Sequence, residues 1–250
     1  MSLLTRGWIT AARVSRRTKR RLRPEPYREE LIKRYAPGRT FVDVGGMWGI
    51  HADLAFLAEE SGAAAVTVVD MMPISEEYRA RHAESSSRVR YVQGDLHDPR
   101  VLEEVGKHEI VFCAGVLYHA PNPLHTLECL AEITGETLIL ITASIPEVPG
   151  LEQACVFYPG MSEKARQSYV PATPGPRLGI THPFEREGSK EQEHGAGQSG
   201  VYDNWWWGIT PSALEGMLNA SGFQVVETGG EPFATRVIAR PTKRPATTSP

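Results

Sequence analysis

Closely spaced cysteines are missing from this sequence. Its three, Cys113, Cys129 and Cys155, show no metal-type spacing and no even framework. This argues against a structural zinc site or a disulfide scaffold and suits a reducing compartment. Long apolar runs are missing as well, so no transmembrane segment is expected. The start, MSLLTRGWIT, is charged too early for the apolar region of a secretory leader, and a cytoplasmic protein is expected. No repeat recurs at solenoid or propeller periods. Charge of one sign is not in large excess: the net charge is −3, which excludes a general polyanion binder. What is present is 250 residues, 41% of them apolar, enough for one α/β domain with an insertion.

The most informative stretch is Thr40–His51, TFVDVGGMWGIH. A short apolar run, Phe41–Val44, leads into Gly45, Gly46 and Gly49. Ile50, Leu54 and Leu57 then follow at helical spacing. Strand, glycine turn and helix in that order open a nucleotide-binding α/β sheet. Glycine is needed where the chain turns tightly with a ligand against its backbone, and the N–H groups at the helix start face that ligand. The pattern is Asp43-x-Gly45-x-x-x-Gly49, not the dinucleotide G-x-G-x-x-G. An acid at the strand end would repel a pyrophosphate and could hold a cationic amino group. The spacing therefore counts against an NAD-dependent oxidoreductase. An ordinary strand–turn–helix with a satisfied Asp43 is the alternative.

The alternation continues along the chain. Ala65–Asp70, Arg88–Gln93, Glu109–Ala114 and Glu136–Ser144 are runs bounded by turn signals, as buried parallel strands are. Helices are predicted over Tyr27–Tyr35, Ser75–Glu84 and Leu124–Ile133. Thr210-Pro211 starts another, with Thr as N-cap and Pro in the first position, and Gly222 stops it. Gln224–Glu227 and Thr235–Arg240 are expected as a closing hairpin joined by residues 229–232. Asp70 follows Gly49 by about 20 residues, the spacing of a ribose-binding acid in such folds. A helix cap or turn Asp is its alternative.

Asp43-x-Gly45-x-x-x-Gly49 resembles motif I of the class I S-adenosylmethionine (SAM) methyltransferases, with Met47 where that family usually has its middle glycine. Gly115-Val116-Leu117-Tyr118-His119, followed by a proline-containing turn, is similar to the tRNA wobble-uridine carboxymethyltransferases and their relatives. So is His51, two residues after the last motif glycine. The resemblance covers residues 40–145 and, more loosely, 200–227. It implies a Rossmann-like α/β fold: a seven-stranded, mostly parallel sheet with the last strand antiparallel and helices on both faces. It implies SAM as cofactor and S-adenosylhomocysteine (SAH) as product. The implied binding residues are Asp43, Gly45, Gly46, Gly49, His51, Asp70, Met71, Asp95, Leu96, Gly115 and Tyr118. Asp43 would sit near the methionine moiety and Asp95 at the adenine amino group; a turn Asp before Asp98-Pro99 is the alternative for the latter.

Five segments are expected: a basic helical arm over 1–36, a SAM-binding core over 37–144, a Pro- and Gly-rich lid or insert over 145–204, the rest of the core over 205–240, and a disordered tail over 241–250. In the arm, Arg13, Arg16, Arg17, Lys19, Arg20, Arg21 and Arg23 occur with no acid among them. Such a run touches RNA, an anionic surface or a phosphorylated substrate, or is a solvated arm.

Methyl transfer is a direct displacement that needs alignment and exclusion of water. An oxygen nucleophile of high pKa also needs a base. His119, His182 and Asp203 are the catalytic candidates. His119 comes first because it follows the fourth strand, whose carboxyl end borders the ligand. Tyr158, Tyr202, Asn204, Trp205 and Trp206 are expected at the acceptor, although the Trp205–Trp207 run also suits core burial. His82, His97, His108, His125 and His194 are read as surface residues, and no metal is expected. The expected function is methyl transfer from SAM to a small-molecule acceptor at oxygen. One alternative is a tRNA-modifying (carboxy)methyltransferase that grips RNA with the basic arm; it needs a basic pocket residue for the extra carboxylate of carboxy-SAM. Another is a non-catalytic SAM-binding protein in which Met47 blocks productive binding.

Overall fold

The computed structural model describes residues 7–12, 14–15, 28–159, 206–231 and 233–242, and strands and helices alternate among them. His182, Tyr202, Asp203, Asn204 and Trp205 lie outside the described residues, as do the centre of the expected lid and residues 243–250 of the expected tail. The strands are β1 (Thr40–Val44), β2 (Ala65–Asp70), β3 (Arg90–Gln93), β4 (His108–Ala114), β5 (Thr134–Ala143), β6 (Cys155–Phe157), β7 (Trp207–Ile209), β8 (Phe223–Glu231) and β9 (Ala234–Pro241). Seven of them make one sheet in the order β3-β2-β1-β4-β5-β9-β8. β1 to β5 pair in parallel, and β9 runs antiparallel to both β5 and β8. The chain lays strands outward from β1 to β3, then returns to place β4 on the other side of β1.

Helices cover both faces, which is why adjacent residues such as Phe41 and Val42 are both fully buried. One face packs against α1 (Arg28–Tyr35), α2 (Asp53–Glu60) and α3 (Glu76–Glu84), through Ile32, Phe56 and Tyr78. The other packs against α4 (Pro99–Val105), α5 (Pro123–Ile133) and α6 (Pro211–Ala220), through Val105, Leu130 and Leu214. Each fully buried side chain of this size contributes about 1.5–3 kcal/mol. Helix starts are fixed by local chemistry. Ser75, Asn122 and Thr210 cap α3, α5 and α6 by accepting the N–H of Tyr78, His125 and Ala213. Arg81 of α3 reaches Asp53 (2.5 Å) and Glu60 (3.0 Å) of α2 and lies over the Phe56 ring, tying these helices together.

Several expectations are corrected. Residues 28–35 are not part of an arm: α1 buries Leu31 and Ile32 in the core. The helix after the glycine turn, α2, begins at Asp53, because His51 and Ala52 adopt left-handed conformations (φ 49° and 63°) that no helix continues through. Its buried face is Leu54, Ala55, Phe56 and Ala58, with Ile50 and Leu57 half-buried. β8 runs through Gly229–Glu231, which pair with β9, so the closing turn is shorter than expected. His108 is buried, its Nε2 3.0 Å from the Thr67 hydroxyl.

Residues 145–159, expected in the lid, instead dock on the core. β6 and β7 form a small antiparallel ribbon, and the Ile145 N–H donates to Ile209 O (3.1 Å). The Glu147 carboxylate accepts both the N–H (2.7 Å) and the hydroxyl (2.8 Å) of Ser212 at the start of α6. Among the described residues, no helix is long and apolar enough to cross a membrane.

Candidate functional site at the sheet switch point

The carboxyl ends of β3, β2, β1 and β4 lie side by side, and the sheet order reverses between β1 and β4. Ligands of open α/β sheets bind in the crevice beyond such a point. The glycine turn sits there. Its three glycines serve different ends. At Gly45 (φ 77°) an added Cβ would strike the Val116 methyl, so the turn packs directly on the loop after β4. At Gly46 it would strike the Asp43 carboxylate. At Gly49 (φ 66°) it would meet nothing within 4 Å, so this glycine faces open space and owes its identity to its backbone angle.

Asp43 lies under the turn with 2% of its surface exposed, and its Oδ2 has no hydrogen-bond partner. Burial, and next the neighbouring Asp70, push its pKa up to about 7, while the Arg28 guanidinium acts in the opposite direction. Asp70 ends β2, and its Oδ2 accepts the Met47 N–H (2.8 Å) and its Oδ1 the Met72 N–H (2.9 Å). It therefore clamps the turn to the end of β2. Each of those oxygens keeps a second lone pair. Burial raises its pKa; backbone donors, Met72 first and Met47 next, hold it down. Met47 is 3% exposed, with its side chain in the core under the turn.

The other expected residues stand on the turns that follow β1, β2, β3 and β4. His51 sets Nδ1 3.0 Å from the Ser75 hydroxyl and 3.6 Å from the Glu77 carboxylate. Met71 is 43% exposed beside Asp70. Asp95 follows β3 and accepts the His97 N–H (2.9 Å), a turn role, and Leu96 is buried. Gly115 (φ 85°) leaves β4 with the Tyr118 hydroxyl 3.7 Å from where its Cβ would be. Tyr118 and His119 form a single 3-10 turn with Leu117, their rings 4.1 Å apart. Burial pushes the Tyr118 phenol up to about 12, against the pull of Arg28.

The ribbon rests on this turn: the Trp206 N–H donates to Tyr118 O and the Tyr158 N–H to Trp206 O, each at 2.9 Å. Tyr158 is not an open contact surface. It is 1% exposed, with its hydroxyl tucked under Gly208. Phe157, 45% exposed, sits against Trp206 and Trp207. Trp207 donates to Pro121 O (3.1 Å).

Sequence reasoning missed Arg28. Its charge reaches both Asp43 and Tyr118, yet in the sequence it is one more cation after the basic run. Only the packing of α1 beside α2 brings it to this edge. A cleft of about 540 Å³ between α4 and α5 includes His97, Leu102, His125 and Cys129 but none of the glycine turn. Among the described residues, no group of three or more His, Cys, Asp or Glu could hold a metal ion.

Known proteins carry the same architecture. The chain is similar to the N-terminal domain of EvdMO1 with SAH bound, at a TM-score of 0.54 and 14% identity over 88% of this chain and 82% of that one. It is similar to the Burkholderia thailandensis 1,6-didemethyltoxoflavin-N1-methyltransferase, at 0.54 and 12% identity over 96% and 88%. The fold is the class I methyltransferase fold. In sequence, 97 residues are 32% identical to the ubiquinone biosynthesis O-methyltransferase of Vibrio campbellii and to that of Vibrio parahaemolyticus. That match spans 38% of this chain and 39% of each relative. No protein-family model matches the chain.

Proposed function

We propose that this protein is a SAM-dependent methyltransferase that methylates a small-molecule acceptor at oxygen. The observation that carries it is the glycine turn at the switch point, with a buried acceptor oxygen of Asp43 beneath it and no protein donor to meet that oxygen. A ligand bearing an ammonium group beside a nucleoside would complete this arrangement. The solved relatives with SAH bound support the choice of cofactor, and the stretch similar to an O-methyltransferase supports oxygen.

Bound here, SAM would supply a methyl group on a sulfonium centre. The Asp43 carboxylate would hold the cofactor's ammonium, and Asp70 would accept from the ribose hydroxyls with its remaining lone pairs. The chain at Asp95–Leu96 would border adenine. His119 would take the proton of the acceptor hydroxyl, and the docked ribbon at Trp206 would help exclude water. Met47, turned into the core, does not obstruct the turn, which counts against the non-catalytic reading. The tRNA-modifying reading draws on GVLYH and on Arg28 as a cation for an extra carboxylate; the modest negative net charge favours a small molecule.

SAH formation from SAM with a panel of hydroxylated small molecules, each product identified by mass, tests the proposal. Turnover should appear with such an acceptor and fall about 10²–10⁴-fold in His119→Ala with SAH affinity nearly unchanged. Turnover that requires tRNA would favour the second reading, and bound SAM that no acceptor consumes would contradict the first.

A further inference from the structure

Building on the methyltransferase reading, we propose that the cofactor's ammonium group displaces a proton from Asp43, so that each binding event releases a proton to solvent. The geometry supplies the reason. Asp43 Oδ2 is buried against the Gly46 backbone without a donor, whereas each oxygen of nearby Asp70 accepts a backbone N–H. Asp70 is thus the acid better able to keep its charge. A second, undonated negative charge in the same buried space is unfavourable.

The groups facing Asp43 are few among the described residues. Asp70 stands at the end of β2 and Cys113 on β4, while Arg28 approaches from α1 and carries the same influence to Tyr118 of the 3-10 turn. Burial first, and the Asp43 charge next, hold the Cys113 thiol neutral; Tyr118 stays neutral to about 12. Arg28 is exposed, so solvent screens it. In the ligand-free protein the Asp43 carboxyl therefore keeps its proton up to about pH 7. When the ammonium arrives, the carboxyl O–H bond breaks, the proton leaves to solvent and the carboxylate accepts an N–H of the ammonium. The ligand's own charge does not change.

Titration calorimetry of the full chain with SAH, in two buffers of different ionisation enthalpy, counts the protons. Near pH 6, about 0.9 proton should be released per SAH, with close to none near pH 8.5, and the affinity should rise about tenfold per pH unit below 7. The probe 5′-methylthioadenosine keeps adenine and ribose but lacks the ammonium, and should bind without release. Asp43→Asn should abolish the release seen with SAH. Buffer-independent heat for SAH near pH 6 would overturn the proton assignment and leave the cofactor reading standing. Equal release with 5′-methylthioadenosine would do the same by moving the proton to the ribose side. Failure of SAH to bind at all, checked by equilibrium dialysis, would overturn both.

Discussion

At the scale of single residues, Asp43 links folding to protonation. Its ordinary carboxyl pKa of 3.8 rises to about 7 in the folded chain, from burial first and Asp70 second. The folded state therefore binds more protons than the unfolded state between those values. Stability contributed by this group is fully present below pH 3.8, falls as pH rises towards 7 and stays low above it. The cost above pH 7 is on the order of 4 kcal/mol. In urea unfolding of the ligand-free protein, Asp43→Asn should match wild type near pH 4 and exceed its stability by up to about that amount near pH 8. Parallel profiles for the two proteins would mean that Asp43 is ionised throughout.

The same scale marks where sequence alone stops. Asp43 and the three glycines are legible by spacing, but the separate reasons for Gly45, Gly46 and Gly49 appear only when Val116 and the Asp43 carboxylate are seen beside them. Arg28 is invisible in the sequence because its place depends on how α1 packs. Tyr158 reads as a lid aromatic yet is buried, because a glycine at 208 leaves room for its hydroxyl.

At the scale of elements, the parallel strands are legible because both their faces are buried and their apolar runs are continuous. The last helix is legible through Thr210-Pro211, whereas the caps Ser75 and Asn122 of α3 and α5 emerge only in the structure. The start of α2 is not legible, since two left-handed residues, His51 and Ala52, follow the turn with no glycine to announce them. Residues 145–159 look irregular by composition, yet their contacts to α6 and β7 are long-range and leave no periodic trace. Glu147 is one such tie. Removing its carboxylate in Glu147→Ala takes the acceptor from the Ser212 N–H and hydroxyl, which should lower stability by about 1–2 kcal/mol. Chemical denaturation measures this, and faster amide exchange at Ser212 would locate the loss. An unchanged midpoint would mean that water serves α6 equally well.

At the scale of the whole molecule, local and global signals agree. Strand runs, caps and glycine turns each point to one doubly covered sheet, and its order alone brings the ends of β1 to β4 to one edge. The architecture and the glycine-turn half of the candidate site are therefore legible from sequence. The proposed acceptor half is less so, because the ribbon and the 3-10 turn that would form it meet through long-range contacts such as Trp206 N–H to Tyr118 O.

The measurement that tests the central claim most directly is a crystal structure of the chain grown with SAH. Its amino-acid moiety is predicted to lie along residues 45–49 with the ammonium at Asp43. Its ribose should face Asp70, and its adenine should lie beside Asp95–Leu96. SAH bound in the α4–α5 cleft instead, or a glycine turn left empty at millimolar SAH, would contradict it.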